Sequence, residues 1–219
     1  MIDHRRASRR MINEYVISRG VNDKRVLEAM IEVPRHLFVE EAFQGIAYGD
    51  KALPIGDGQS ISRPYTVAKM TEALGLEGGE RVLEIGGGSA YQSAILSRLA
   101  GEVFTIERLG SLAVRARRLL HTLKCMNVLF KVGDGTLGWK DKAPFDAILV
   151  AASFSNVPEE LLYQLKEGGR VVMPVGKAEK QRLKRFIRKG EGFREEDLGE
   201  CIFVPLIGEK GWSEREVND

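Results

Sequence analysis

Metal and nucleophile chemistry has little to work with in this sequence. Only three histidines occur in 219 residues, His4, His36 and His121. None stands at metal-ligand spacing or beside a nucleophile-elbow pattern, so each reads as structural or exposed, and no metal is expected. Cysteine is scarce too: Cys125 and Cys201 lie far apart and form no CxxC pair. They read as two reduced, structural thiols in a reducing compartment. Charge of one sign is missing, because 33 Lys and Arg meet 31 Asp and Glu. A net charge of +2 gives no strong pull towards nucleic acid or an anionic membrane. No apolar run is long enough to span a bilayer. Residues 1–10 are charged throughout and lack the apolar core of a signal peptide. These absences predict a cytoplasmic protein with no membrane contact and no nucleic-acid partner; a monomer is the default expectation.

What is present describes an ordinary globular protein, 43% hydrophobic and 29% charged, long enough for one well-buried domain. Residues 1–79 look helical and irregular. Val26, Leu27, Ala29, Met30 and Val33 form a helical apolar stripe that ends at Pro34. A loop rich in Gly and Pro follows, and the next helix is predicted to start with Ser62 as N-cap and Pro64 in the first turn. From residue 80 the pattern alternates. Strands are predicted at 81–85, 103–107, 128–132, 145–150 and 170–175, with helices at 90–99, 112–123 and 159–165 and a turn at Gly168-Gly169. This rhythm predicts an α/β fold: a doubly wound, mostly parallel, Rossmann-like sheet forming one ligand-binding unit over 80–219. Residues 1–79 would be an N-terminal helical extension covering the active site. Residues 183–188 and 201–206 look like a C-terminal strand pair. The basic cluster Lys177, Lys180, Arg182, Lys184, Arg185, Arg188 and Lys189 falls there and reads as a solvated edge hairpin rather than a nucleic-acid patch.

The most informative stretch is Val82-Leu83-Glu84-Ile85-Gly86-Gly87-Gly88-Ser89-Ala90-Tyr91. A strand running into glycines and then a helix lets backbone approach a ligand closely. A dinucleotide site wants G-x-G-x-x-G, and here the third glycine position holds Tyr91, which speaks against an NAD oxidoreductase. Glu84 argues the same way: a carboxylate at the strand end would repel a pyrophosphate but suit a ligand carrying an ammonium and a sulfonium. Glu107 ends the second strand, where an acid can accept from both ribose hydroxyls, and Asp134 could accept from an adenine amino group. Three acids at successive strand ends point to S-adenosyl-L-methionine, with S-adenosyl-L-homocysteine as product.

With those residues in view, the chain resembles class I methyltransferases through 82–92, Gly133-Asp134-Gly135 and 165–170. Val33-Pro34-Arg35-His36-Leu37-Phe38-Val39, Ala52-Leu53-Pro54-Ile55-Gly56, Gly58-Gln59-Ser60-Ile61-Ser62 and Phe203-Val204-Pro205-Leu206 narrow the resemblance to the protein-L-isoaspartate O-methyltransferases. That resemblance implies an enzyme methylating L-isoaspartyl residues of damaged peptides and proteins, with Ser62 in the active site. It implies cofactor roles for Ser60, Ile61, Glu84, Gly86, Gly88, Gln92, Glu107, Asp134 and Gly135, and a substrate side at Arg63, Tyr65, Ser153 and Val204. Two departures stand out. Ala90 replaces the family's usual glycine, and its methyl is expected to narrow the cofactor cleft. Ala151-Ala152-Ser153-Phe154-Ser155 replaces the usual loop after the fourth strand, and Phe154 is read either as narrowing the substrate rim or as facing the core.

The chemistry is economical in residues. A carboxylate acceptor has a reference pKa of roughly 4 and is ionised at neutral pH, so no general base is required. Proximity, orientation and desolvation carry the rate. Two rivals remain open at this point: a class I methyltransferase for another acceptor, and a divergent or non-catalytic adenosylmethionine-binding homologue.

Overall fold

The strand running into Gly86-Gly87-Gly88 is the third in a sheet of seven strands. The structure is a computed structural model and describes residues 3–177 and 180–218. Met1 and Ile2 of the charged N-terminus, Ala178 and Glu179 beside the basic cluster, and Asp219 lie outside the described residues. The first segment forms helices α1 (His4–Tyr15) and α2 (Lys24–Glu32). The Asp3 and Asp23 carboxylates accept from their opening N–H groups, as N-caps do. A two-stranded ribbon, β1 (Leu53–Gly56) and β2 (Gln59–Ile61), leads into α3 (Pro64–Ala73). The sheet follows: β3 (Arg81–Ile85), α4 (Tyr91–Leu96), β4 (Glu102–Glu107), α5 (Gly110–Thr122), β5 (Val128–Val132) and β6 (Phe145–Val150). It closes with α6 (Glu159–Leu162), β7 (Leu165–Lys177), β8 (Lys180–Lys189), β9 (Gly192–Cys201) and α7 (Glu214–Asn218).

The spatial order is β5-β4-β3-β6-β7-β8-β9. The first five run parallel, and β8 and β9 return antiparallel. The order reverses between β3 and β6, which opens a crevice at their carboxyl ends. Both sheet faces are covered, so side chains alternate between two apolar clusters. Val82 and Val103 face one cluster, which also holds Met11, Met30, Met70 and Leu74 from the N-terminal helices. Leu83, Ile85, Phe104 and Ile106 face the other. No helix among the described residues is long and apolar enough to cross a membrane.

Several local expectations change. The residue before α3 is Arg63, with no side-chain cap bond, so Ser62 is not the N-cap. The reason is that Pro64 opens the helix and moves the cap position one residue on. Helix α4 ends at Leu96 and continues only as turns, and α6 stops at Leu162. Gly168-Gly169 lies within β7 instead of forming a separate turn. The partner of β8 is Gly192–Cys201, not 201–206. Half of its residues are charged, and its acids pair with the basic cluster: Arg182 with Asp197 at 2.9 Å, Lys184 with Glu195 at 2.5 Å, and Arg185 with Glu196. Residues 203–207 instead cross the end of β6, where Ser153 N–H donates to the Val204 carbonyl at 2.8 Å.

Candidate active site

The crevice begins at the glycine turn. Gly86 and Gly87 N–H groups both donate to the Ile106 carbonyl, at 2.9 and 3.2 Å, fastening the turn to β4. Gly86 (φ +85°) and Gly88 (φ +48°) hold left-handed backbone that favours glycine. Gly87 is needed for a different reason: a Cβ there would sit 2.5 Å from Thr105 Cγ2 and 2.8 Å from Phe130 Cζ. Ala90 is also left-handed, at φ +67°, and fully buried. Its methyl joins the apolar cluster beneath the helices and does not line the crevice, so the expected narrowing is absent. The residue departs from glycine at a cost of roughly 1 kcal/mol of backbone strain.

Glu107 closes β4 and clamps this turn. One carboxylate oxygen accepts from Gly88 N–H and the other from Leu109 N–H, each at 2.8 Å. The residue is only 7% exposed and lines the crevice, and each oxygen keeps a second acceptor site. Arg108 follows on the lining, but its guanidinium pairs with Glu214 at 2.9 Å.

Glu84 stands elsewhere. The alternation of β3 turns it under α4 with Val82, fully buried, where Ser93 Oγ and Thr105 Oγ1 (2.9 Å) donate to one oxygen and the other has no partner. Burial pushes its pKa up to about 8, and the Glu107 charge adds to that. The expectation that Glu84 borders the ligand does not describe its position. Asp134 is likewise spent on structure. It accepts from Thr136 N–H and Oγ1 at 2.8 and 2.6 Å, and from Glu209 N–H at 2.7 Å, tying down the C-terminal segment.

The ribbon forms one wall with Gln59, Ser60, Ile61 and Ser62, backed by Met70 of α3. Gln92 of α4 donates to Thr71 Oγ1 at 2.9 Å and faces the same space. The Ser62 hydroxyl has no hydrogen-bond partner among the described residues, while its carbonyl accepts from Arg35 at 2.6 Å. Ala151, Ala152 and 203–207 make the opposite wall, with Gly135 at the end towards β5. Ser153 is buried outside the lining, its carbonyl held by Leu206 N–H (2.7 Å) and Trp212 Nε1 (3.1 Å). The half-buried Phe154 meets Trp212 edge to face at 5.1 Å and packs against the core cluster of Leu83 and Ile85, outside the crevice lining. It therefore follows the core-facing alternative, not the rim. Arg63 reaches Asp50 at 2.6 Å, and Tyr65 accepts from Lys69 at 3.1 Å; neither lines the crevice.

Thus Ser60, Ile61, Ser62, Gly86, Gly88, Gln92, Glu107, Gly135 and Val204 come together, whereas Glu84, Asp134, Arg63, Tyr65 and Ser153 do not. Met70, Leu109, Ala151 and Pro205 line the crevice without having been singled out as site residues. Met70 carries no signal beyond a helical apolar stripe, while Pro205 sits in the Phe203–Leu206 motif and was within reach. A crevice with an acid clamped by backbone, hydroxyls on one wall and an apolar surround suits a ribose-bearing ligand without a pyrophosphate.

Comparison with known proteins agrees on one family. The sequence profile described as Protein-L-isoaspartate(D-aspartate) O-methyltransferase matches residues 6–211. The protein-L-isoaspartate O-methyltransferase of Syntrophotalea carbinolica is 54% identical over 214 residues, spanning 97% of this chain and 99% of that one. A solved structure of a protein-L-isoaspartate O-methyltransferase superposes with a TM-score of 0.84 at 30% identity, covering 95% of this chain and 67% of that one. A Plasmodium falciparum structure, described as a putative protein-L-isoaspartate O-methyltransferase in complex with S-adenosyl-L-homocysteine, shares the fold with a TM-score of 0.79 at 24% identity. It covers 94% of this chain and 99% of that one.

Proposed function

The chain belongs to the protein-L-isoaspartate O-methyltransferase family, and from that premise we propose that it methylates the carboxylate of L-isoaspartyl residues in damaged proteins. The observation that carries this reading is the Glu107 carboxylate, clamped to Gly88 and Leu109 and turned into a crevice bounded by Ser60, Ser62, Gln92 and Val204. S-Adenosylmethionine, when bound, supplies an electrophilic methyl group. Glu107 would accept from its ribose hydroxyls, and the Gly86–Gly88 backbone, Ser60, Ile61, Gln92 and Gly135 would hold the remainder. The crevice fits such a group: backbone is open at two left-handed glycines, and no lysine lines it.

The protein's own residues then bind, orient and dry the acceptor. An isoaspartyl carboxylate is ionised at neutral pH, so nothing here needs to take a proton. Ser62 is the residue we assign to the acceptor, because its hydroxyl is unspent within the fold and stands on the wall opposite Val204. Since Ser62 caps no helix, Ser62→Ala should leave thermal stability unchanged. Turnover should fall roughly ten- to a hundredfold, the effect of losing one positioning hydrogen bond, with no change in pH dependence near neutrality. We further propose that residues 1–79 serve as the cover of an 80–219 cofactor unit, and that the protein works as a single chain in the cytoplasm. Its two free cysteines support a reducing compartment, and the pairing of β8 cations with β9 acids supports a peptide rather than a nucleic-acid partner.

The deciding experiment is methyl transfer to paired peptides that differ only in isoaspartyl against aspartyl linkage. Transfer to the isoaspartyl peptide alone is expected. Equal transfer to both, or to neither while S-adenosylhomocysteine still binds, would overturn the assignment.

A further inference from the structure

Arg35 belongs to the Val33–Val39 motif and has no place in the chemistry described so far. It is 0% exposed, an unusual position for a guanidinium. No carboxylate pairs with it among the described residues; Asp50, the nearest acidic influence, pairs instead with Arg19 and Arg63. A buried cation without a counter-ion is costly, and an apolar side chain of the same size would fill the space more cheaply. The guanidinium is held at three points. Nε donates to the Ala47 carbonyl at 2.9 Å, and Nη2 to the Ser62 carbonyl at 2.6 Å. Its plane lies against the Tyr91 ring, 4.8 Å from the centroid. Tyr91 opens α4 directly after the glycine turn, and Phe38 packs edge to face on it at 5.3 Å. Arg35 Nη1 and the Tyr91 hydroxyl are both buried and lack hydrogen-bond partners among the described residues, lying near one another short of hydrogen-bond geometry.

Those three points belong to different parts of the site. Ser62 is on the ribbon wall, Tyr91 is on the wall that starts at the glycine turn, and Ala47 is on the segment behind both. Arg35 itself lines no part of the crevice. We propose that Arg35 is a positioning residue that brackets the Ser60–Ser62 wall to the glycine turn and so sets the width of the crevice for cofactor and acceptor together. A salt-bridged or apolar residue cannot do this, because the bracket needs two directed donors and a flat face in one side chain. This inference rests on the methyltransferase reading above.

The test uses Arg35→Met, Arg35→Lys and a control, Val16→Ala, which loosens the N-terminal core away from the crevice. Each is purified, its folded fraction measured by circular dichroism, and its affinity for S-adenosylhomocysteine and its kcat and KM on an isoaspartyl peptide determined per folded molecule. Arg35→Met is expected to bind S-adenosylhomocysteine at least tenfold more weakly and to lose at least tenfold in kcat. Arg35→Lys should recover part of both, and Val16→Ala, though less stable, should keep both. Arg35→Met with unchanged affinity and kcat overturns the proposal, as does a Val16→Ala that loses them equally at equal loss of stability. Should neither Arg35 variant fold, hydrogen exchange on the unaltered chain decides: S-adenosylhomocysteine should slow the amides of 35–39 and 46–48 together with 59–63, and unchanged exchange at 35–48 overturns the bracket. An unaltered chain that neither binds S-adenosylhomocysteine nor methylates the peptide defeats the functional reading itself. An active unaltered chain with indifferent Arg35 variants defeats the bracket alone.

Discussion

Where β3 and β4 meet under the glycine turn, there is no room for one methyl group; where β8 and β9 meet, the side chains touch across the pair largely as ions. Both regions belong to one sheet, yet they are held differently. The first is close-packed, with Gly87 against Thr105 and Phe130 and a buried Glu84 beneath. The second is a half-solvated ladder of Arg182, Lys184 and Arg185 facing Asp197, Glu195 and Glu196. The lesson is that shape sets the crevice end of the sheet, while charge sets the edge, and the two should answer to different perturbations.

Gly87→Ala is the harshest way to probe that contrast. The backbone there is not left-handed, so the effect is purely steric, and overpacking should cost about 2–3 kcal/mol in denaturant unfolding. The turn must shift, so calorimetry should show a loss of S-adenosylhomocysteine affinity of at least about tenfold. A stable Gly87→Ala protein with intact affinity would break the comparison.

Glu107→Ala removes an acceptor that serves Gly88 and Leu109 and that, in the proposed function, also serves the ligand. Affinity should fall by roughly 1–3 kcal/mol, about five- to a hundred-and-fifty-fold. Unchanged affinity by calorimetry would remove Glu107 from the cofactor site.

Glu84 sharpens the comparison through pH. Its folded pKa of about 8 lies above the ordinary carboxylate value, so the folded state holds its proton more tightly than the unfolded chain. Its contribution is fully present below pH 4–5 and is lost as pH rises towards 8. Glu84→Gln mimics the protonated form and should melt at the same temperature as the unaltered protein at pH 5, and a few degrees higher at pH 8. Parallel melting curves at both pH values would mean that Glu84 stays ionised where it is.

The smallest effect belongs to the edge. Arg182→Ala breaks an exposed pair with Asp197 and should leave the melting temperature within about a degree, less still in high salt, with cofactor affinity untouched. A large loss would show that the edge is held by more than screened charge.

The same division explains what could be read in the sequence. The central parallel strands announce themselves as short apolar runs because both faces are buried, and Arg81–Ile85 and Phe145–Val150 occupy the spans the pattern predicts; the edge strand Val128–Val132 does so too, though it is largely exposed. Strand β9 was invisible to that pattern: Arg194-Glu195-Glu196-Asp197 looks like loop until its partner strand is placed beside it. The glycine turn and Glu107 were legible from type and spacing, whereas Ser62 came into view as a site residue only through the family resemblance. Glu84 and Asp134 were legible as strand-end acids, but the way each points depends on alternation and on a segment some seventy-five residues away, at Glu209. Ser153 and Phe154 turned inward because Trp212 and residues 203–207 arrive to cover them, a contact that no local window contains.

The far wall of the crevice is borrowed from the end of the fold. Residues 203–207 are sewn onto β6 through Ser153 and locked by Asp134 to Glu209. Much of the sheet can form from neighbours in sequence, but this wall waits for a long loop to close. A chain emerging from the ribosome would therefore display its glycine turn well before it owned a complete crevice. Competence to hold the methyl donor would arrive as a late event, after most of the backbone signal of folding has already been gained. That order follows from which segment supplies Val204 and Pro205.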